Sequence, residues 1–131
     1  MNFKIRLMEK TDRKRLIEIL RKTRVFRKNE IAVAVELIDI YIKNPKQKDY
    51  IFFVAESDGA PAGYICYGLD NCTQGAYDIY WIAVSPDFQK MGIGGKLLEF
   101  AEKNIMSRKG KIIVVETSST KKYDSTRKFY L

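Results

Sequence analysis

A chain of 131 residues, 46% of them hydrophobic, has material for one core, because two domains would each be too small for burial to outweigh chain entropy. No run approaches the roughly 20 apolar residues of a membrane span. The start mixes Lys4, Arg6, Glu9 and Lys10 instead of leading into a signal core, and two cysteines without any histidine exclude the usual zinc and thiol constellations, so a soluble cytoplasmic protein without a metal is expected.

The net charge of +8 is uneven: residues 1–50 carry 14 basic and 7 acidic side chains, residues 51–131 carry 10 and 9. The positive field therefore belongs to the amino-terminal part, where it is either a solvated helix face or a surface that attracts nucleic acid, an acidic acceptor or an anionic cofactor.

Phe3 to Leu7 alternates apolar and basic residues, which predicts a half-exposed first strand. Thr11 or Asp12 then caps a basic amphipathic helix with Leu16, Ile17, Ile19 and Leu20 inward, ending near Thr23 or Arg24. A second helix is predicted over Asn29 to Ile42, with Ile31, Val35, Ile38 and Ile42 as its stripe, Val33, Leu37 and Tyr41 widening it, and Asn44-Pro45 as the stop.

Ile51 to Ala55 and Ala62 to Gly68 read as a hairpin turning at Ser57-Asp58-Gly59, and Tyr77 to Val84 as the third strand in sequence with them, the three being expected to pair antiparallel. Cys66 in the second of these runs reads as a small buried hydrophobe. A glycine-rich turn over Gln89 to Gly95 leads to a helix from Lys96 to Arg108 with Leu97, Leu98, Ala101 and Ile105 inward and Gly110 at its end. Lys111 to Thr117 reads as a strand covered on both faces, and Ser125 to Leu131 as the start of a further helix.

The turn carries the chemistry. Amides at a helix start lack intrahelical acceptors, and the helix dipole adds positive potential, so a phosphate is the natural ligand. The dinucleotide pattern fails because Leu97 stands where its third glycine is required, and the triphosphate-loop pattern fails at Lys90 and Leu97.

Gln89-Lys90-Met91-Gly92-Ile93-Gly94 instead resembles the Q/R-x-x-G-x-G/A signature of the GNAT acetyltransferases, and Ile82 to Phe88 and Leu97-Leu98 resemble its flanks. The order of elements resembles that family over nearly the whole chain. The resemblance implies an α/β fold with a mixed, mostly antiparallel sheet flanked by helices, forming one domain over residues 1–131. It also implies an N-acetyltransferase that carries the acetyl group of acetyl-CoA to a primary amine by direct transfer. The alternative is a non-catalytic acyl-CoA-binding regulatory module, and a nucleic-acid-binding protein ranks last.

By the resemblance, the pyrophosphate rests on the amides of Lys90 to Gly95, with Gln89, Met91, Gly92, Ile93, Gly94 and Lys96 completing the loop. The pantetheine arm pairs with the main chain at Ile82, Ala83 and Val84. Tyr123 stands where many members have a pantetheine-binding asparagine, with Ser118 and Ser119 as other sources of that contact. Thr126 to Tyr130 resembles a helix whose tyrosine serves as general acid, a role carried to Tyr130. The family continues for two further strands, so this chain is expected to lack them or to receive that edge from a partner, which leaves a homodimer open.

Asp78 lies six positions before Val84, where some members carry a glutamate as base, and strict alternation puts Asp78, Tyr80, Ile82 and Val84 on one face. An aliphatic ammonium titrates near 10 and an aspartate near 3.9, so direct proton abstraction is uphill and a water relay or a purely electrostatic role are the readings of Asp78. Glu116 is a second candidate. The sequence leaves the acceptor amine unidentified.

Overall fold

The run Ala60–Leu69 is buried at every position except its two ends, as the centre of a sheet covered on both faces requires. The computed structural model describes residues 3–69 and 76–108, and residues 111–115 as a strand. In chain order it contains β1 (Lys4–Leu7), α1 (Arg13–Lys22), α2 (Lys28–Lys43), β2 (Ile51–Ser57), β3 (Ala60–Leu69), β4 (Ala76–Val84), α3 (Ile93–Ser107) and β5 (Lys111–Val115), with 3-10 turns at Lys10–Asp12 and Pro86–Met91.

The sheet order is β1-β2-β3-β4-β5. The first four strands pair antiparallel, and β5 pairs parallel to β4 after the α3 crossover, as a strand-helix-strand unit requires. The β2–β3 turn is a two-residue loop in which Asp58 and Gly59 both have positive φ, 52° and 80°, the twist that suits a tight hairpin.

Two cores cover the two sheet faces. Leu16, Ile19 and Leu20 of α1 and Ala34, Ile38 and Tyr41 of α2 pack on Phe52, Val54, Tyr64 and Cys66. On the other face Ile93, Leu97, Leu98, Ala101 and Ile105 of α3 pack on Ile65, Tyr67, Ile79 and Ile82. Among the described residues no helix is long and apolar enough to cross a membrane.

Three details differ from the sequence reading. The buried stripe of α2 runs through Ala34, Ile38 and Tyr41, in place of Val35, Ile38 and Ile42, which leaves Val33 47% exposed. Leu7 is 55% exposed at the end of an edge strand with one neighbour. Helix α3 begins at Ile93, three residues before Lys96, because glycines are tolerated in a first turn that the buried Ile93 and Leu97 anchor.

Beside α1, Arg6 donates to Asp12 at 2.8 and 2.9 Å and to Glu56 at 2.7 Å, and Asp12 also accepts the Glu9 amide at 2.8 Å. Burial pushes the Asp12 carboxyl up, but the Arg6 hydrogen bonds, the Glu9 amide and the guanidinium charge outweigh it and hold it below its ordinary range. The network ties β1, β2 and the start of α1 together.

Candidate functional site

The end of β4 is where chain geometry departs from a plain strand. Tyr67 pairs with Ile79 and Cys66 with Trp81, so Tyr80 is an extra residue bulged out of the ladder. The bulge shifts the alternation by one: Tyr77, Ile79, Ile82 and Val84 face α3, whereas Tyr80, Trp81 and Ala83 face α1 and α2.

Asp78, opposite Gly68 and between Tyr77 and Ile79, lies on the α1/α2 face. The expected grouping of Asp78 and Tyr80 with Ile82 and Val84 is therefore corrected, since strict alternation holds only on either side of the bulge. Asp78 is 8% exposed. Nothing in its immediate sequence signals the bulge, which is fixed by how Cys66 and Tyr67 pair.

Beyond the bulge the main chain has a defined polarity. Ser85 N–H donates to Ala62 C=O at 2.8 Å. In an antiparallel ladder this makes Ala83 and Tyr64 the next pair to exchange bonds, so Ile82 and Val84 turn their N–H and C=O groups away from β3, toward the side on which β5 lies. Ala83 directs its main-chain groups into the ladder instead. The described β4–β5 pairing runs from Ala76 to Ile79.

The signature loop follows directly. Ser85 is fully buried and its Oγ accepts the Asp87 N–H at 3.4 Å, which fixes the start of the Pro86–Met91 turn. The turn ends at Gly92, with φ 75° and ψ 14°, a left-handed conformation natural to glycine. Gly92 C=O then accepts Lys96 N–H at 3.0 Å, the first bond of α3. The amides of Ile93, Gly94 and Gly95 precede that bond and have no intrahelical acceptor.

The space above these amides is open. A Cβ on Gly92 or Gly95 would meet nothing within 4 Å, and one on Gly94 would touch only Val84 Cγ2, at 3.6 Å. Backbone conformation accounts for Gly92, whereas packing requires a glycine at neither Gly94 nor Gly95. Amides at a helix start of this kind can receive an anion, and Gln89 and Lys90 stand exposed beside them. Ile93 anchors the loop by burying its side chain and offers only its main chain.

Lys96 is less committed to the loop. Its amide is bonded to Gly92, and its ammonium lies 3.9 Å from Glu99 on the exposed face of α3. That face borders an open groove of about 460 Å³ floored by Phe3, Ile5 and Phe100 beside β1, the outer edge strand.

On the α1/α2 face of the bulge, Phe26 of the α1–α2 connection packs on Trp81 with ring centroids 5.5 Å apart, and Tyr50 meets Tyr80 edge-on at 5.5 Å. Lys22 at the end of α1 reaches Asp87 of the turn at 3.9 Å. Sequence reasoning passed over Trp81 and Phe26; the available signal was a lone tryptophan placed just before the end of the signature strand. Tyr123, Tyr130, Glu116, Ser118 and Ser119, and the helix expected from Ser125, lie outside the described residues.

A family model described as an acetyltransferase (GNAT) domain matches residues 48–131, more than half of the chain. The S-(2-succino)cysteine N-acetyltransferase of Bacillus subtilis (strain 168) is 32% identical over 130 residues, covering 94% of this chain and 78% of that protein. Among solved structures, an acetyltransferase of the GNAT family from Desulfovibrio desulfuricans superposes with a TM-score of 0.81 at 35% identity, covering 98% of this chain and 80% of that one. PaiA N-acetyltransferase from Thermoplasma acidophilum, solved in complex with coenzyme A, shares the fold with a TM-score of 0.74 at 19% identity, covering 99% of this chain and 87% of its own. Since the matched family model spans the bulged strand, the glycine loop and α3 together, the chain belongs to the GNAT family of acetyltransferases.

Proposed function

We propose that the protein transfers the acetyl group of acetyl-CoA to the primary amine of an acceptor, directly and within one ternary complex. The observation that carries the reading is the open cradle of amides at Ile93, Gly94 and Gly95, with no side chain filling it. When bound, acetyl-CoA supplies an activated thioester. The loop amides hold its pyrophosphate, and the main-chain groups of Ile82 and Val84 guide the pantetheine arm toward the bulge at Tyr80.

Direct transfer accords with the state of Cys66, the cysteine among the described residues. Its thiol is fully buried, and burial pushes its titration well above the ordinary range, so it does not supply a thiolate. The amine itself is then the nucleophile. It approaches from the α1/α2 face, where Asp78 is positioned to take its proton through water, and Tyr130 holds the proton that the departing thiolate needs.

The bulge also aids the chemistry. It re-aims the peptide groups next to Trp81 at the junction of the two faces, where charge on the thioester oxygen develops. Initial rates measured while both substrates are varied test the mechanism. Intersecting double-reciprocal lines are expected, and parallel lines would establish a covalent acyl-enzyme instead.

A further inference from the structure

One edge of the sheet carries the features of an interface. β1 stands at the end of the strand order, with β2 as its neighbour among the described residues. Met8 N–H donates to Phe52 C=O at 3.3 Å, in register with the Arg6–Val54 and Lys4–Glu56 pairs. Lys4, Arg6 and Met8 therefore spend their main-chain groups on β2, whereas Phe3, Ile5 and Leu7 direct theirs outward. Leu7 C=O accepts Arg6 Nη1 at 3.1 Å, and the other outward groups meet no main-chain partner among the described residues.

The side chains of the same three residues share the α3 face, since Phe3 and Ile5 pack on the core beneath α3 and alternation adds Leu7. Leu7 is the exposed member. Beside it lies the open groove of about 460 Å³, floored by Phe3, Ile5 and Phe100 and rimmed by Lys96, Glu99 and Lys103. An unfilled apolar trough and an exposed leucine thus sit on one strand edge.

Proteins commonly guard an open edge with charge. Here the guard is cancelled: Lys4 lies 3.6 Å from Glu56, and Arg6 is held by Glu56 at 2.7 Å and Asp12 at 2.8 Å, two cations against two acids. At the groove rim Glu99 lies 3.9 Å from Lys96 and 3.6 Å from Lys103. A net charge of +8 opposes self-association, and along this edge that repulsion is locally offset.

Self-complementarity selects the occupant. Two β1 strands laid antiparallel about a two-fold axis at Ile5 set Ile5 opposite its own copy and Phe3 opposite Leu7 of the other chain, with outward main-chain groups facing each other. An axis normal to the sheet keeps both α3 helices on one face, so each exposed Leu7 meets the other copy's groove. The same register sets Lys4 opposite Arg6 of the other copy, each already paired with an acid.

We propose that a second copy of this chain docks on the outer edge of β1, joining two sheets into one through an isologous β1–β1 contact in which Leu7 of each copy fills the groove beside Phe3 of the other. This edge lies at the opposite end of the sheet from the carboxy-terminal one at which the sequence leaves a partner open. The proposal is independent of the acetyltransferase reading.

Sedimentation velocity of the full chain across a series spanning micromolar concentrations reads the association, and hydrogen exchange of the peptide over residues 3–8 at both ends of the series reads the edge. A monomer–dimer equilibrium with no larger species is expected, with exchange of the Ile5 and Leu7 amides slowed in the dimer. Leu7→Lys, at an exposed position, should raise the dimer dissociation constant at least about tenfold while the chain stays folded. If that variant melts early, the exchange result on the parent decides alone. A chain monomeric throughout, a dimer indifferent to Leu7→Lys in the folded variant, or equal exchange in monomer and dimer would overturn the proposal. Amides protected at every concentration would overturn it too, and assign the edge to a segment of the same chain.

Discussion

Gly94 is the position at which a structural glycine and a ligand-binding glycine predict opposite outcomes. It lies in the first turn of α3, and a Cβ there would make an ordinary contact, 3.6 Å, with Val84 Cγ2. The folded chain alone therefore has room for alanine. Replacing a helical glycine by alanine adds about 0.5–1 kcal/mol of stability, which for a chain of this length raises Tm by about 2–4 °C. Gly94→Leu keeps most of that gain but projects a branched side chain over the amides of Ile93 and Gly95. If a phosphate rests there, one or more charge-assisted hydrogen bonds of about 1.5–3 kcal/mol are lost, weakening acetyl-CoA roughly 10- to 100-fold. Thermal melting and isothermal titration on Gly94→Ala and Gly94→Leu read the two quantities separately. Equal acetyl-CoA affinity in the leucine variant and the parent would refute the loop assignment, and a parallel fall in stability and affinity would make Gly94 a packing residue.

Gly63→Ala tests the β3–β4 contact that holds the end of β4: its Cβ would sit 2.9 Å from Ala83 O, so a loss of about 2 kcal/mol is expected as a lower denaturation midpoint at unchanged m. Asp12, held below its ordinary range in the fold, stabilises above the unfolded value near 3.9 and loses that contribution as pH falls below it. The deficit of Asp12→Asn should therefore be full at pH 6–7 and close below about pH 4. Arg6→Met strands the buried carboxylate at a cost of about 3 kcal/mol and lets burial raise Asp12, so stability in that variant should instead fall as pH rises above about 4, a reversal visible in denaturation midpoints across pH. Tyr130→Phe should lower kcat roughly 100-fold with coenzyme affinity held within about twofold, as a lost general acid requires.

The elements were legible where their cause is local. Alternation between charged and apolar residues marks β1, the Asp58-Gly59 turn marks the hairpin, and the spacing of Leu97, Leu98, Ala101 and Ile105 marks the inner face of α3. The turn before α3 was legible for the same reason, since Gln89 to Gly94 is a contiguous pattern in which Gly92 takes the left-handed conformation. What escaped was set by partners distant in sequence. The Tyr80 bulge depends on the register against Cys66 and Tyr67, and without it Asp78 falls on the wrong face. The start of α3 was obscured because glycine disfavours helix, yet Ile93 and Leu97 bury well enough to draw Gly94 and Gly95 into the first turn. Trp81 and Phe26 carry no motif, and their contact appears only once the α1–α2 connection is seen against β4.

Transfer itself is the most direct test of the account. Thiol release from acetyl-CoA is followed with this chain and a panel of primary amines, and the amines are then analysed by mass spectrometry. One acetylated amine per thiol released, with negligible release when amine is omitted, is the predicted result. Tight binding of acetyl-CoA with no acetylated product across the panel would contradict it and leave a coenzyme-binding module.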